Sequence, residues 1–170
     1  MRAKYKIVLV LVVSIVLLDQ LTKLIIDRAM PLNHSIPIIE GFFNLTYIRN
    51  TGAAFGIFAG GHAAFRQPFL ILFSVLAIGF ILVMLRRLPE EEKGLAVALS
   101  FILGGAVGNL IDRLVYGEVI DFLDFYWSRF HWPAFNLADS FITVGVTLTL
   151  YRLIRAKGED PFRTPERKSL

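Results

Sequence analysis

The chain contains no cysteine, which removes disulfides, thiolate nucleophiles and Cys-ligated metals from the chemistry open to it. Histidine is scarce. His34, His62 and His131 are scattered, with no HExxH pattern and no pair at helical spacing, and this argues against a zinc site. Charge is also scarce, at 19% of 170 residues, whereas 55% are hydrophobic and the mean hydropathy is +0.61. That balance is too apolar for an ordinary soluble domain and fits a compact integral membrane protein. The net charge of +4 gives no case for nucleic acid, because the basic residues form no single patch. They flank apolar segments, the pattern that sets membrane orientation. There is no internal repeat.

Four segments are long enough to cross a hydrocarbon core of about 30 Å, which takes roughly 20 helical residues. They cover about 6–26, 67–85, 94–111 and 136–154. The first resembles a secretory signal peptide in having Arg2, Lys4 and Lys6 before an apolar run. That run passes into Asp19-Gln20 and "LTKLII" without a small-residue cleavage site, so it is expected to be a retained helix. Basic residues collect on one side of this four-span plan: Arg2, Lys4 and Lys6, then Arg86, Arg87 and Lys93, then Arg152, Arg155, Lys157, Arg163, Arg167 and Lys168. The positive-inside bias puts both termini and the 86–93 loop in the cytoplasm and the two longer loops outside. The first of these, "IPIIEGFFNLTYIRNTGAAFGIF" (36–58), has strand-like runs broken by Pro and Gly, and predicts a small sheet or hairpin. The second, "RLVYGEVIDFLDFYWSRFHWPAF", is expected to be an aromatic, interfacial loop. The polar stretch 158–170, with two prolines, is expected to be an unstructured cytoplasmic tail to one membrane domain over 1–157.

Five acids stand out against this apolar background: Asp19 late in the first span, Asp112 ending the third, Asp121 and Asp124 in "VIDFLDF", and Asp139 opening the fourth. The orientation places all five at the outer membrane face. Intramembrane ionisable residues are rare, face the bundle interior and mark functional sites. Each also has a structural reading. Asp112 could pair with Arg113, and Asp124 could be a solvated or capping residue. Asp19 could pair with Lys23 at i,i+4 near the interface. Asn136 could cap the fourth helix and leave Asp139 at N3, where a carboxylate suits the positive end of the helix dipole. Gly104 and Gly108 have GxxxG spacing, a packing feature. The Gly/Ala-rich "NTGAAFG" (50–56) lets backbone groups approach a ligand closely.

A serine hydrolase is poorly supported, since Ser14, Ser74, Ser100 and Ser140 have no candidate base beside them in sequence. Two carboxylates remain. Asp121 and Asp139 could share one proton, the ionised member activating water while the neutral one polarises a carbonyl. Two other classes stay open. A proton- or cation-coupled transporter would use the acids as a relay spread through the bilayer depth. A scaffold would use them only to pair and cap.

Five stretches then coincide in order with one family: "DQLTK" (19–23), "NTGAAFG" (50–56), "GGAVGNLIDR" (104–113), "VIDFLDF" (119–125) and "FNLADS" (135–140). On these the chain resembles the bacterial lipoprotein signal peptidases (signal peptidase II). The resemblance implies a four-helix bundle, all-α apart from a small extracytoplasmic β-structure, in the bacterial inner membrane. It implies an aspartyl endopeptidase that cleaves diacylglyceryl-modified prolipoproteins just before the lipidated cysteine. Asp121 and Asp139 fall on the family's catalytic positions. Asp19, Asn50, Gly52, Asn109, Asp112, Arg113 and Asn136 fall on its supporting or substrate-binding positions. No cofactor or metal is implied. The implied partners are the prolipoprotein signal peptide with its diacylglyceryl cysteine, membrane lipid and globomycin-type inhibitors.

Overall fold

A computed structural model describes residues 3–52 and 63–155. Residues 53–56 of "NTGAAFG", the end of the expected 36–58 β-region and the 158–170 tail lie outside the described residues. Four helices carry the chain: α1 (Ala3–Ala29), α2 (Ala63–Arg87), α3 (Lys93–Val115) and α4 (Leu137–Arg155). Each is long and apolar enough to cross a membrane. They match the four expected spans and extend beyond most of the expected limits, since polar residues that hydropathy discounts still make helical hydrogen bonds. The stops have local causes. Prolines follow the ends of α1 and α2, at Pro31 and Pro89, and restrict the residue before them to extended backbone. Gly117, with φ 74°, takes the left-handed position after α3, and its N–H reaches the Arg113 carbonyl.

Helix α3 is the centre of the bundle and packs against α1, α2 and α4. Its glycines set the approach. A Cβ on Gly104 would lie 2.9 Å from the Ile15 side chain, and one on Gly105 would collide with the Ala138 carbonyl oxygen. One on Gly108 would lie 2.5 Å from the Asp19 carboxylate. The outer helices leave apolar rows uncovered, among them Val10, Leu17, Leu21 and Ile25 on α1 and Leu72, Phe73, Leu76, Phe80 and Val83 on α2. Such a surface would be a liability in water and is the ordinary face of a helix against lipid tails.

The strands form one antiparallel sheet of order β1-β2-β3-β4, from β1 (Ser35–Ile39), β2 (Phe43–Asn50), β3 (Val119–Trp127) and β4 (Phe130–His131). The β1–β2 hairpin agrees with the reading of the first loop. "VIDFLDF" does not form the expected loop. It is the core of β3, paired to β2 with Asp121 opposite Ile48 and Asp124 opposite Asn44. The sheet docks on the end of α1 through Ile26, Met30, Tyr47, Ile120 and Phe122, which are buried together. The far end of the bundle is closed by Lys4 of α1. Its ammonium donates to the Leu88 carbonyl and lies 3.7 Å from Glu90. The sheet and most of the basic residues of the bundle therefore occupy opposite ends.

Candidate active site

The fourth helix begins as its sequence suggests. The Asp139 backbone N–H donates to Asn136 Oδ1 at 2.9 Å, and the Asn136 N–H donates back to Asp139 Oδ2 at 3.3 Å. This reciprocal pair is a capping box with aspartate at N3, and it fixes the Asp139 rotamer through the helix start itself. The other Asp139 oxygen accepts from Asn109 Nδ2 of α3 at 2.7 Å.

Asp121 reaches the same place from β3. Its Oδ1 accepts from Asn136 Nδ2 at 2.8 Å, and its Oδ2 from Asn50 Nδ2 at 2.9 Å. Asn50 is oriented in turn by the Gly52 N–H, which donates to Asn50 Oδ1 at 2.9 Å. Asn136 thus touches both carboxylates, one through its amide and the other through its backbone. Asp121 is almost fully buried. Its carboxyl is pushed up to about 7, first by loss of hydration and then by the Asp139 charge, against the lowering pull of Asn50, Asn136 and Lys23.

A second layer lies behind the asparagines. Lys23 Nζ is 2.8 Å from Asp19 Oδ2, 2.9 Å from Asp112 Oδ2 and 3.0 Å from Asn109 Oδ1. Asp19 Oδ1 accepts the Ala138 N–H at 2.9 Å, and Asp112 Oδ2 accepts the Ile120 N–H at 3.1 Å. Gln20 donates to Asp112 Oδ1 at 2.8 Å. These bonds tie α1 and α3 to the residues flanking both Asp121 and Asp139.

A cavity of about 470 Å³ opens onto both carboxylates. Asn50, Asn109, Arg113, Asp121 and Asp139 line its polar end, and Trp132, Pro133, Phe135, Ile142 and Val144 contribute apolar wall. Seven of the nine residues expected at the site are held in one hydrogen-bonded cluster: Asp19, Asn50, Asn109, Asp112, Asp121, Asn136 and Asp139. Gly52 joins through its N–H to Asn50, and Arg113 donates to the Asn109 carbonyl at 3.4 Å.

Some structural readings change. The ionic partner of Asp112 is Lys23 rather than Arg113. The Asp19–Lys23 pair is real but wholly buried, with no snorkelling to the interface. Asp124 stands apart, nearly buried between Asn44 and His131 with contacts of 2.8 Å to each, and braces the sheet. Lys23 and Gln20 take part in the cluster without being among the nine expected site residues. The signal for Lys23 was a cation inside an apolar span, four residues after a carboxylate.

Four apolar helices, a small sheet at one end and a cavity lined by the buried Asp121 and the half-buried Asp139 are the marks of a membrane enzyme. A solved structure described as a bacterial membrane enzyme superposes with a TM-score of 0.79 at 32% identity, over 96% of this chain and 93% of the other. The lipoprotein signal peptidase of Geobacter sulfurreducens is 52% identical over 155 residues, which is 91% of this chain and 96% of the relative. That of Syntrophus aciditrophicus is 46% identical over 145 residues, 85% and 90% of the two chains. Residues 11–155 match the family described as Signal peptidase (SPase) II, and the chain belongs to that peptidase family.

Proposed function

We propose that the protein is an aspartic-type endopeptidase that removes signal peptides from diacylglyceryl-modified prolipoproteins, cutting just before the lipidated cysteine. The observation that carries this reading is the presentation of Asp121 and Asp139 to one cavity, with Asn136 bonded to both. Two carboxylates that face one cavity, one of them raised by the other's charge, hold one proton between them. The ionised member takes a proton from water as the oxygen attacks the scissile carbonyl, and the neutral member hydrogen-bonds the developing oxyanion. Collapse of the tetrahedral intermediate breaks the C–N bond. The newly protonated acid passes its proton to the departing cysteine nitrogen. The oxyanion regains its carbonyl, and the dyad returns to a single shared proton.

The cavity wall suits such a substrate. Ile142, Thr143 and Val144 belong to a membrane-spanning helix, so an apolar signal peptide and acyl chains can enter laterally from lipid. The basic residues at the far end of the bundle support an orientation with both termini cytoplasmic and the sheet and cavity extracytoplasmic. In this reading membrane lipid surrounds the site, and globomycin-type cyclic peptides would block the same cavity.

The test is direct. Purified protein in detergent is incubated with a prolipoprotein bearing diacylglyceryl cysteine, and with the same chain lacking the lipid. The expected result is a shortened product on a gel from the lipidated substrate alone. Failure of the wild-type protein to cut the lipidated substrate would contradict the proposal.

A further inference from the structure

Lys23 has no part in the reaction just described, yet it is among the most deeply buried charges in the protein. Burying an ammonium is costly unless every proton on it finds an acceptor. Lys23 meets that condition with nothing to spare. An ammonium has three donors and no acceptor, and Lys23 faces three oxygens at 2.8–3.0 Å, on Asp19, Asp112 and Asn109.

The third contact has a consequence for the site. An asparagine side chain can be turned over, exchanging its oxygen and its NH2 group. Lys23 removes that freedom from Asn109. Turning the amide would set its NH2 against the ammonium and its oxygen against the Asp139 carboxylate, losing both bonds and creating two repulsions. Oδ1 therefore stays towards Lys23, and Nδ2 stays towards Asp139 at 2.7 Å. The same oxygen also receives Asn136 Nδ2 at 3.2 Å, the group that donates to Asp121. Asn136 is fixed independently, because its Oδ1 takes the Asp139 backbone N–H.

We infer that Lys23 is a positioning residue, which reaches the two carboxylates through Asn109 and holds the asparagine amides as donors towards them. This rests on the peptidase reading above. Lys23 touches no reacting atom. The charged groups around it are Asp19 on its own helix, Asp112 on α3 and, across the asparagines, Asp121 on β3 and Asp139 on α4. Arg113 is the other cation whose charge Asp121 and Asp139 share. Lys23 also acts at longer range, as its charge draws Asp121 down.

The test compares wild type with Lys23→Met, Asn109→Ala and the double variant, using the lipidated prolipoprotein and following kcat, KM and the pH profile. Removal of a group that orients a reactive side chain is expected to lower kcat roughly ten- to a hundredfold and leave KM nearly unchanged. The alkaline limb of the profile should move to higher pH. Because Lys23 acts through Asn109, the two losses should not multiply: the double variant should be about as slow as the slower single one. Lys23→Met leaves two buried acids without their cation and could fail to fold. The paired variant Asp19→Asn/Lys23→Met removes one charge of each sign and carries the same expectation for kcat and the alkaline limb. Multiplicative losses in the double variant, or a paired variant with wild-type kcat and pH profile, would overturn the inference. Either result leaves the peptidase reading intact, whereas loss of wild-type cleavage defeats that reading first.

Discussion

Asp121 is held by the fold in surroundings that favour its protonated form, and this single residue links stability to chemistry. Its carboxyl titrates near 7 in the folded protein against 3.8 for an unperturbed aspartate. The folded state therefore binds more protons than the unfolded chain between these values, so stability falls as pH rises through them. The penalty is complete above about 7 and amounts to a few kcal/mol, at about 1.4 kcal/mol per unit. An asparagine in its place carries no such penalty. Thermal unfolding in detergent should then move in favour of Asp121→Asn relative to wild type as pH is raised from 5 to 8. A difference in midpoint that stays flat with pH would contradict the assignment. The proposed mechanism needs one proton on the pair, so kcat/KM should fall as pH rises through about 7, where Asp121 loses it. The placing of Asp121 and Asp139 at one cavity was legible in the sequence because each is an acid in an apolar setting. The partners that hold them were less so. Asn109 and Asn136 bear no charge, and Lys23 shows only its neighbour Asp19 in sequence, while Asp112 lies far along the chain.

At the scale of the elements, the helices were readable because lipid imposes its own arithmetic: twenty apolar residues in a row have few other uses. Strand β3 was not readable. Val119, Ile120 and Phe122 are all buried, so the alternation that marks a half-exposed strand is missing. Its pairing with β2 joins residues 69 to 82 positions apart, which no local pattern announces. The hairpin of β1 and β2 carried turn signals of its own, including Gly41 at φ 77°, and was visible for that reason. The contact of α3 with α4 depends on Gly105. In an isolated helix, Gly→Ala gains about 1 kcal/mol of propensity. Here the added methyl would be driven into the Ala138 carbonyl, one residue from Asp139, and overpacking of that kind costs about 1–3 kcal/mol. The clash should win. Gly105→Ala is expected to lower the unfolding midpoint in detergent and to reduce kcat by displacing the start of α4. A variant as stable and as active as wild type would show that the two helices separate freely there.

Over the whole molecule, most of the basic residues of the helices lie at one end of the bundle and the candidate site at the other. One end carries Lys4, Lys6, Arg86, Arg87, Lys93, Arg152 and Arg155, with Lys4 locking α1 to the turn before α3. The other holds the sheet, the cavity and the clustered aspartates Asp19, Asp112, Asp121 and Asp139, although these come from α1, α3, β3 and α4. Acids drawn to a single depth and bonded into one cluster are unsuited to a relay across the bilayer, which needs stations through its thickness. Capping and pairing do occur, as a scaffold would require, but they converge on two carboxylates that face open space. In the proposed reaction these two carboxylates share the chemistry. The most direct measurement of this is single-turnover cleavage of a diacylglyceryl-modified prolipoprotein by wild type, Asp121→Asn and Asp139→Asn, each confirmed to be folded. Each substitution alone should slow the step by at least about a thousandfold, since neither acid can replace the other's half of the proton transfer. Cleavage near the wild-type rate in either variant would contradict it.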